Sequence, residues 1–128
     1  MSSDFKQTLV VDFDGVIHSY TSGWESPTII RDPPVPGAIK FLRDATKYFK
    51  VAIYSSRSGQ DGGIRAMQDY IADHALKFDK YAESWFSLLS WPVTKPSGFL
   101  TIDDRAYLFT GTFPDPKEFL TFKPWNKK

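Results

Sequence analysis

A run of β-forming residues, Val10-Val11, leads into Asp12-Phe13-Asp14-Gly15 and so delivers two carboxylates beside a glycine. Residues two apart on a strand share a face, so Asp12 and Asp14 are expected to point the same way. Two carboxylates that close repel each other, and one tends to hold a proton unless a cation is supplied. Further polar groups follow later apolar runs. Ser55 comes after Val51-Ala52-Ile53-Tyr54, with Arg57 close behind, and Asp103-Asp104 comes after Leu100-Thr101-Ile102. Lys95 lies in the stretch before that last run. Four carboxylates, a hydroxyl and an ammonium suit phosphate chemistry around a divalent ion. Mg²⁺ prefers hard oxygen ligands, and one or two carboxylates suffice because it keeps several waters. Four aspartates bring roughly −4, and one Mg²⁺ with Lys95 reduces this to about −1, which Arg57 would cancel.

These groups come from separate segments, so the elements between them must gather them. Thr8 to Phe13 reads as a buried strand and Lys50 to Tyr54 as a second. Gly98 to Ile102 reads as a strand closing on the acidic pair, with Trp85 to Ser90 and Tyr107 to Thr112 as weaker strand candidates. Pro36-Gly37 opens a helix whose face is Ala38, Leu42, Ala45 and Phe49, with Ile39 and Phe41 beside it. Asp61 is a candidate N-cap for a second helix with Ile64, Met67, Ile71 and Ala75 along one stripe. Pro116 to Leu120 suggests a short helix. Residues 18–35 read as a loop with Ile29-Ile30 as a candidate short strand. Strands alternating with amphipathic helices predict a three-layer α/β/α, Rossmann-like domain with a mainly parallel sheet. Right-handed crossovers would then bring the strand ends, and the carboxylates on them, to one edge.

Composition sets the outer bounds. A chain of 128 residues with 41% hydrophobic and 24% charged residues is expected to fold as one domain over residues 1–128. The net charge of +1 implies no overall attraction to nucleic acid or membrane. The absence of cysteine excludes disulfides, thiolate catalysis and a cysteine-bound metal. The polar start Met1-Ser2-Ser3-Asp4 and the lack of a long apolar run predict a cytoplasmic protein without membrane spans, monomeric or weakly homo-oligomeric.

The order of these groups resembles the haloacid dehalogenase (HAD) superfamily of phosphohydrolases. Its first motif is matched by Asp12-Phe13-Asp14-Gly15-Val16, its second by Ser55 and its third by Lys95. Its fourth is matched by Asp103-Asp104, and the agreement in order covers residues 8–106. The resemblance implies that Asp12 is the nucleophile, forming an aspartyl-phosphate, and that Asp14 is the general acid and then base. It implies Mg²⁺ held by Asp12, Asp14 through its backbone carbonyl, and Asp103, with Asp104 a ligand through water or an orienter of Lys95. Ser55 would donate to the phosphoryl group and Lys95 would neutralise the nucleophile and phosphate.

Ser55-Ser56-Arg57 with Asp103-Asp104-Arg105 is similar to the phosphatase domain of polynucleotide kinase-phosphatases, which implies a bidentate grip of Arg57 on the phosphate. No P-loop is present, so no kinase activity is implied. Residues 17–35 leave room for a flap and not for a cap domain. The open site implied suits large substrates such as nucleic-acid ends or phosphoproteins, or completion by another subunit; the expected substrate is phosphorylated, a nucleotide or a single-stranded nucleic-acid end. The chain also resembles small stand-alone proteins of this superfamily from phages and bacteria.

Two other functions use similar parts. A receiver domain also gathers an acidic cluster, Ser/Thr and Lys, but there the acidic pair comes first and the lysine last. A phosphate- or nucleic-acid-binding module without turnover would keep the fold and lose a catalytic residue, and none is missing. Several residues have plain structural readings. His18 reads as a surface residue of the flap, and Arg105 as an ion-pair partner of Asp104. Tyr20 and Trp24 read as base-stacking or flap-packing aromatics. Phe109, Phe113, Phe119, Phe122 and Trp125 read as closure of the core.

Overall fold

Strand β1, Thr8–Val11, is the centre of the molecule because its side chains are apolar on both faces: Leu9, Val10 and Val11 are all buried. In the computed structural model, which describes residues 5–127, β1 pairs in parallel with β2 (Lys50–Ile53) and with β3 (Leu100–Ile102). The strand order is β2-β1-β3. Registers Val11↔Ile53 and Val11↔Ile102 align the three carboxyl ends. Parallel pairing needs a crossover between successive strands, and the helices supply it.

Helix α1 is Ala38–Ala45 and α2 is Gly63–Phe78; a single helical turn, α3, spans Glu83–Phe86. The stripes read from spacing are buried at their centres, with Ala38, Phe49 and Ile64 partly buried, but Phe41, expected beside the first, is exposed. Ile39, Leu42 and Ala45 of α1, and Met67, Ile71 and Ala75 of α2, pack with Leu9, Val11, Val51 and Ile53 in one core. The architecture is therefore α/β with an open three-stranded parallel sheet. Among the described residues no helix is long and apolar enough to cross a membrane.

Several local expectations give way. Trp85 to Ser90 is not a strand. Asp79 accepts from the Tyr81 N–H at 2.9 Å and from Trp85 Nε1 at 3.1 Å, which winds the segment into α3. Only Ser90 reaches the sheet, in a single bridge to Ala52. Asp61 does not cap α2; Gly62 does, in the left-handed region at φ 75° and without a side-chain bond. Ile29 and Ile30 form no strand, and Ile29 makes one bridge to Ser26. Tyr107 to Thr112 joins no sheet, and two 3₁₀ turns follow at Pro116–Thr121 and Trp125–Lys127. The aromatic residues of this end do not close the core. Phe113 is 86% exposed, and Phe109, Phe119, Phe122 and Trp125 are each about half exposed. Trp125 has another use: its Nε1 donates to the Gly15 carbonyl at 2.7 Å, tying the chain's end to the first acidic turn.

Candidate functional site

The parallel sheet places three polar turns side by side. Asp12 follows β1 directly and its N–H still donates to the Ile102 carbonyl of β3 at 3.0 Å. Ser55 lies two residues past β2, and Asp103-Asp104 follows β3. These groups line a cavity of about 440 Å³. A larger groove of about 570 Å³ runs between the flap and α2, but it is open, and Arg65 there is paired with Asp69 at 3.0 Å. Size does not mark the chemical site here; the convergence of carboxylates does.

Carboxylate oxygens of Asp12, Asp103 and Asp104 lie within 4.8 Å of one another. Gly15 makes this approach feasible. A Cβ there would sit 2.2 Å from Asp104 Oδ2, and its φ of 86° is one that side chains resist. Burial, and then the charge of Asp103, push the Asp12 carboxyl up to about 8, with Asp104 adding to the effect. Burial also pushes Asp104 above its ordinary value. The cluster is thus crowded with negative charge and short of a counter-ion. Three hard oxygen donors of this kind fit Mg²⁺. The Asp14 carboxylate is not part of this triad; the expected ligand is its backbone carbonyl, on which the side-chain cluster does not bear.

The Asp14 carboxylate is engaged elsewhere. Its Oδ1 accepts from His18 Nδ1 at 2.9 Å and from Arg57 Nη2 at 3.1 Å, and its Oδ2 accepts from Arg57 Nε at 2.9 Å. Burial pushes Asp14 up, but the bonds from His18 and Arg57 outweigh it and hold the carboxyl below its usual range. Both oxygens have donors at rest. Proton transfer by Asp14 therefore requires one of these bonds to be exchanged.

His18 is not a surface residue. It is 1% exposed, and its Nε2 accepts from the Asp32 N–H at 3.1 Å, which leaves the ring proton on Nδ1 facing Asp14. Nothing in the polar loop around His18 signals this burial. It follows from the backbone pairing of Ser19 with Pro33 and of Val35 with Ile17, which closes the flap on itself.

The remaining expected residues divide. Ser55 is buried at the cavity wall. Its Oγ accepts from the Arg57 N–H at 2.9 Å, and among the described residues the only partner for its own proton is the Met67 sulfur at 3.7 Å, a weak acceptor. That hydroxyl can still donate to a ligand. Lys95 is exposed, lines no part of the cavity and makes no hydrogen bond or ion pair among the described residues. It lies in an irregular connection that no helix or strand aims at the sheet edge. Arg57 does not line the cavity: it is fully buried and bound to Asp14, so the expected grip on a phosphate has no access to one. Arg105 does face the cavity and makes no ion pair with Asp104. Tyr20 joins the wall in a left-handed conformation, φ 62°, with its ring edge-on to His18.

Fold and site together define an α/β chain with an acidic triad at the carboxyl edge of a parallel sheet. No protein-family model, curated protein or solved structure matches it.

Proposed function

We propose that this chain is a Mg²⁺-dependent phosphomonoester hydrolase of the HAD type, on a three-layer α/β/α fold with a flap in place of a cap domain. The observation that carries the reading is the position of Asp12. It directly follows the central strand, its carboxyl oxygen lies within 4.8 Å of those of Asp103 and Asp104, and it faces the same cavity as Ser55.

In this reading Asp12 attacks phosphorus in line. An Asp12 O–P bond forms, the bond to the leaving oxygen breaks, and that oxygen takes a proton. Water then attacks the aspartyl-phosphate, releasing inorganic phosphate and restoring the carboxylate. Asp14 is ionised at rest; on exchanging its His18 bond it would take a proton from solvent, give it to the leaving oxygen and take one back from the attacking water, its Arg57 bonds staying in place. Ser55 donates its hydroxyl to a non-bridging oxygen. Asp12, Asp103 and Asp104 would hold Mg²⁺, which supplies charge neutralisation at the phosphoryl oxygens. The substrate class we propose is a single-stranded nucleic-acid end or a nucleotide; a flap of residues 17–35 in place of a cap leaves room for an extended chain, a phosphoprotein segment included.

The purified protein is expected to release p-nitrophenol from p-nitrophenyl phosphate with Mg²⁺ and to lose that activity in EDTA. Oligonucleotides phosphorylated at the 3′ or the 5′ end would then rank the natural class. Phosphate binding without turnover on any of these would make the protein a binding module. Neither binding nor turnover would remove the phosphohydrolase reading.

A further inference from the structure

Two arginines stand near the acidic cavity, and the fold uses them in opposite ways. Arg57 is 0% exposed. Its Nε and Nη2 hold both oxygens of Asp14, and its Nη1 donates to the carbonyls of Ser26 and Pro27 at 2.9 Å and of Ile29 at 3.2 Å. The Trp24 ring lies over the guanidinium, 4.8 Å from its centroid. Every nitrogen of Arg57 is taken, by one carboxylate and by the backbone of the flap. One Nη2 N–H is left without a partner among the described residues, but with the side chain fully buried no phosphate reaches it.

Arg105 is the reverse case. Its backbone N–H donates to Asp103 Oδ1 at 2.9 Å, which fixes the turn after β3, while its side chain is exposed on the cavity wall and has no hydrogen-bond or ion-pair partner among the described residues. With Arg57 buried and Lys95 outside, Arg105 is the one basic side chain lining the cavity among the described residues. Three carboxylates against one divalent ion leave about −1 in the triad, so an incoming phosphate dianion needs a further cation. A free guanidinium offers a planar fork that matches two phosphate oxygens.

We propose that Arg105 is the phosphate-binding guanidinium of this site, and that Arg57 is a positioning residue that holds Asp14 and the flap without touching the substrate. The Arg105 half rests on the phosphohydrolase reading; the Arg57 half rests on its hydrogen bonds alone. A lost binding contact raises KM, whereas displacement of a reacting group by an ångström can cost about a hundredfold in rate.

With p-nitrophenyl phosphate and Mg²⁺, Arg105→Ala is expected to raise KM about tenfold and to weaken inorganic phosphate binding by the same factor, with kcat changed less than about threefold. Arg105→Lys, which keeps a point charge, should recover part of that affinity. Arg57→Lys is expected to lower kcat about a hundredfold with KM within about threefold. It should also speed amide exchange across residues 19–32 while β1 and β2 stay protected. Should that variant not fold, the wild-type protein carries the same test. On adding phosphate and Mg²⁺ the Arg105 Nε–H resonance should shift, and that of Arg57 should stay in place and exchange slowly. Phosphate affinity unchanged in Arg105→Ala overturns the first half. A phosphate-induced shift at Arg57, or a flap as protected in Arg57→Lys as in the wild type, overturns the second. A wild-type protein that neither binds nor hydrolyses phosphate esters defeats the functional reading and Arg105 with it, while slow exchange at Arg57 would still uphold its anchoring role.

Discussion

Asp12→Asn is expected to lower phosphatase turnover by roughly 10⁴-fold or more under the proposed function, in which it removes the nucleophile and leaves only binding and charge stabilisation. The same change should make the metal-free protein more stable, and the two effects together distinguish a chemical loss from a damaged fold. Burial and then the neighbouring charges of Asp103 and Asp104 hold the Asp12 carboxyl at about 8 in the folded state, against 3.8 for an ordinary aspartate. The folded form therefore binds a proton more tightly than the unfolded one. Its contribution is fully favourable below about pH 4 and is lost as pH rises to about 8, beyond which it is flat.

Asparagine has no such charge to bury. The advantage of Asp12→Asn over the wild type should be small at pH 4, should grow through neutral pH and should level off above about pH 8. An increase in Tm of about 4 °C at the alkaline end corresponds to about 1 kcal/mol for a domain of this size. Mg²⁺ should reverse the order. An ion that binds only the folded state stabilises it, and the wild type has the fuller ligand set. Differential scanning calorimetry with EDTA and with Mg²⁺, across pH, reads all of this. Equal melting of both proteins at pH 9 without metal would show that Asp12 is not under charge strain. Wild-type turnover in the variant would remove it from the nucleophile role.

The features that were legible in the sequence are those written in short-range pattern. Asp12, Ser55 and Asp103-Asp104 each follow a short apolar run, and parallel pairing does the rest of the placement. The stripes of α1 and α2 were legible because burial at helical spacing leaves a periodic mark. What was not legible depends on contacts between distant segments, or on backbone. Arg57 is held largely by the carbonyls of Ser26, Pro27 and Ile29, about thirty residues earlier, and a carbonyl carries no residue signature. His18 sits in a loop of polar and small residues, and its burial is set by isolated bridges such as His18↔Pro34, which leave no period in the sequence. The Trp85 to Ser90 segment has apolar content that suits a strand or a helix equally, and the decision is made by Asp79 just upstream. Tyr107 to Thr112 has strand-forming residues, but propensity needs a pairing partner, and among the described residues no strand pairs with it. Lys95 matched a motif by order alone, and order does not aim a side chain.

Gly63→Ala is expected to destabilise the fold by about 3 kcal/mol or more, an overpacking effect at the severe end of its range. Gly63 is buried at the first position of α2. A Cβ there would lie 1.9 Å from the Arg57 carbonyl oxygen and 2.7 Å from its carbon, and both atoms are backbone. Backbone cannot rotate away as a side chain tip can. The turn that carries it is pinned twice, by Ser58 N–H to the Ser55 carbonyl at 2.9 Å and by Gln60 N–H to the Arg57 carbonyl at 3.1 Å. Relief must come from shifting α2 off the core or Arg57 off Asp14, so the cost reaches the site as well as the fold. Gly59→Ala is the control in the same loop. Its Cβ would meet only the Val93 carbonyl oxygen, at an ordinary 3.7 Å, and stability should stay within about 0.5 kcal/mol of the wild type. Urea titration of the two variants separates loop sensitivity in general from this one contact. If both unfold at the same midpoint, α2 does not press on the Arg57 backbone, and the rigid seat that holds Asp14 in place has to be sought elsewhere.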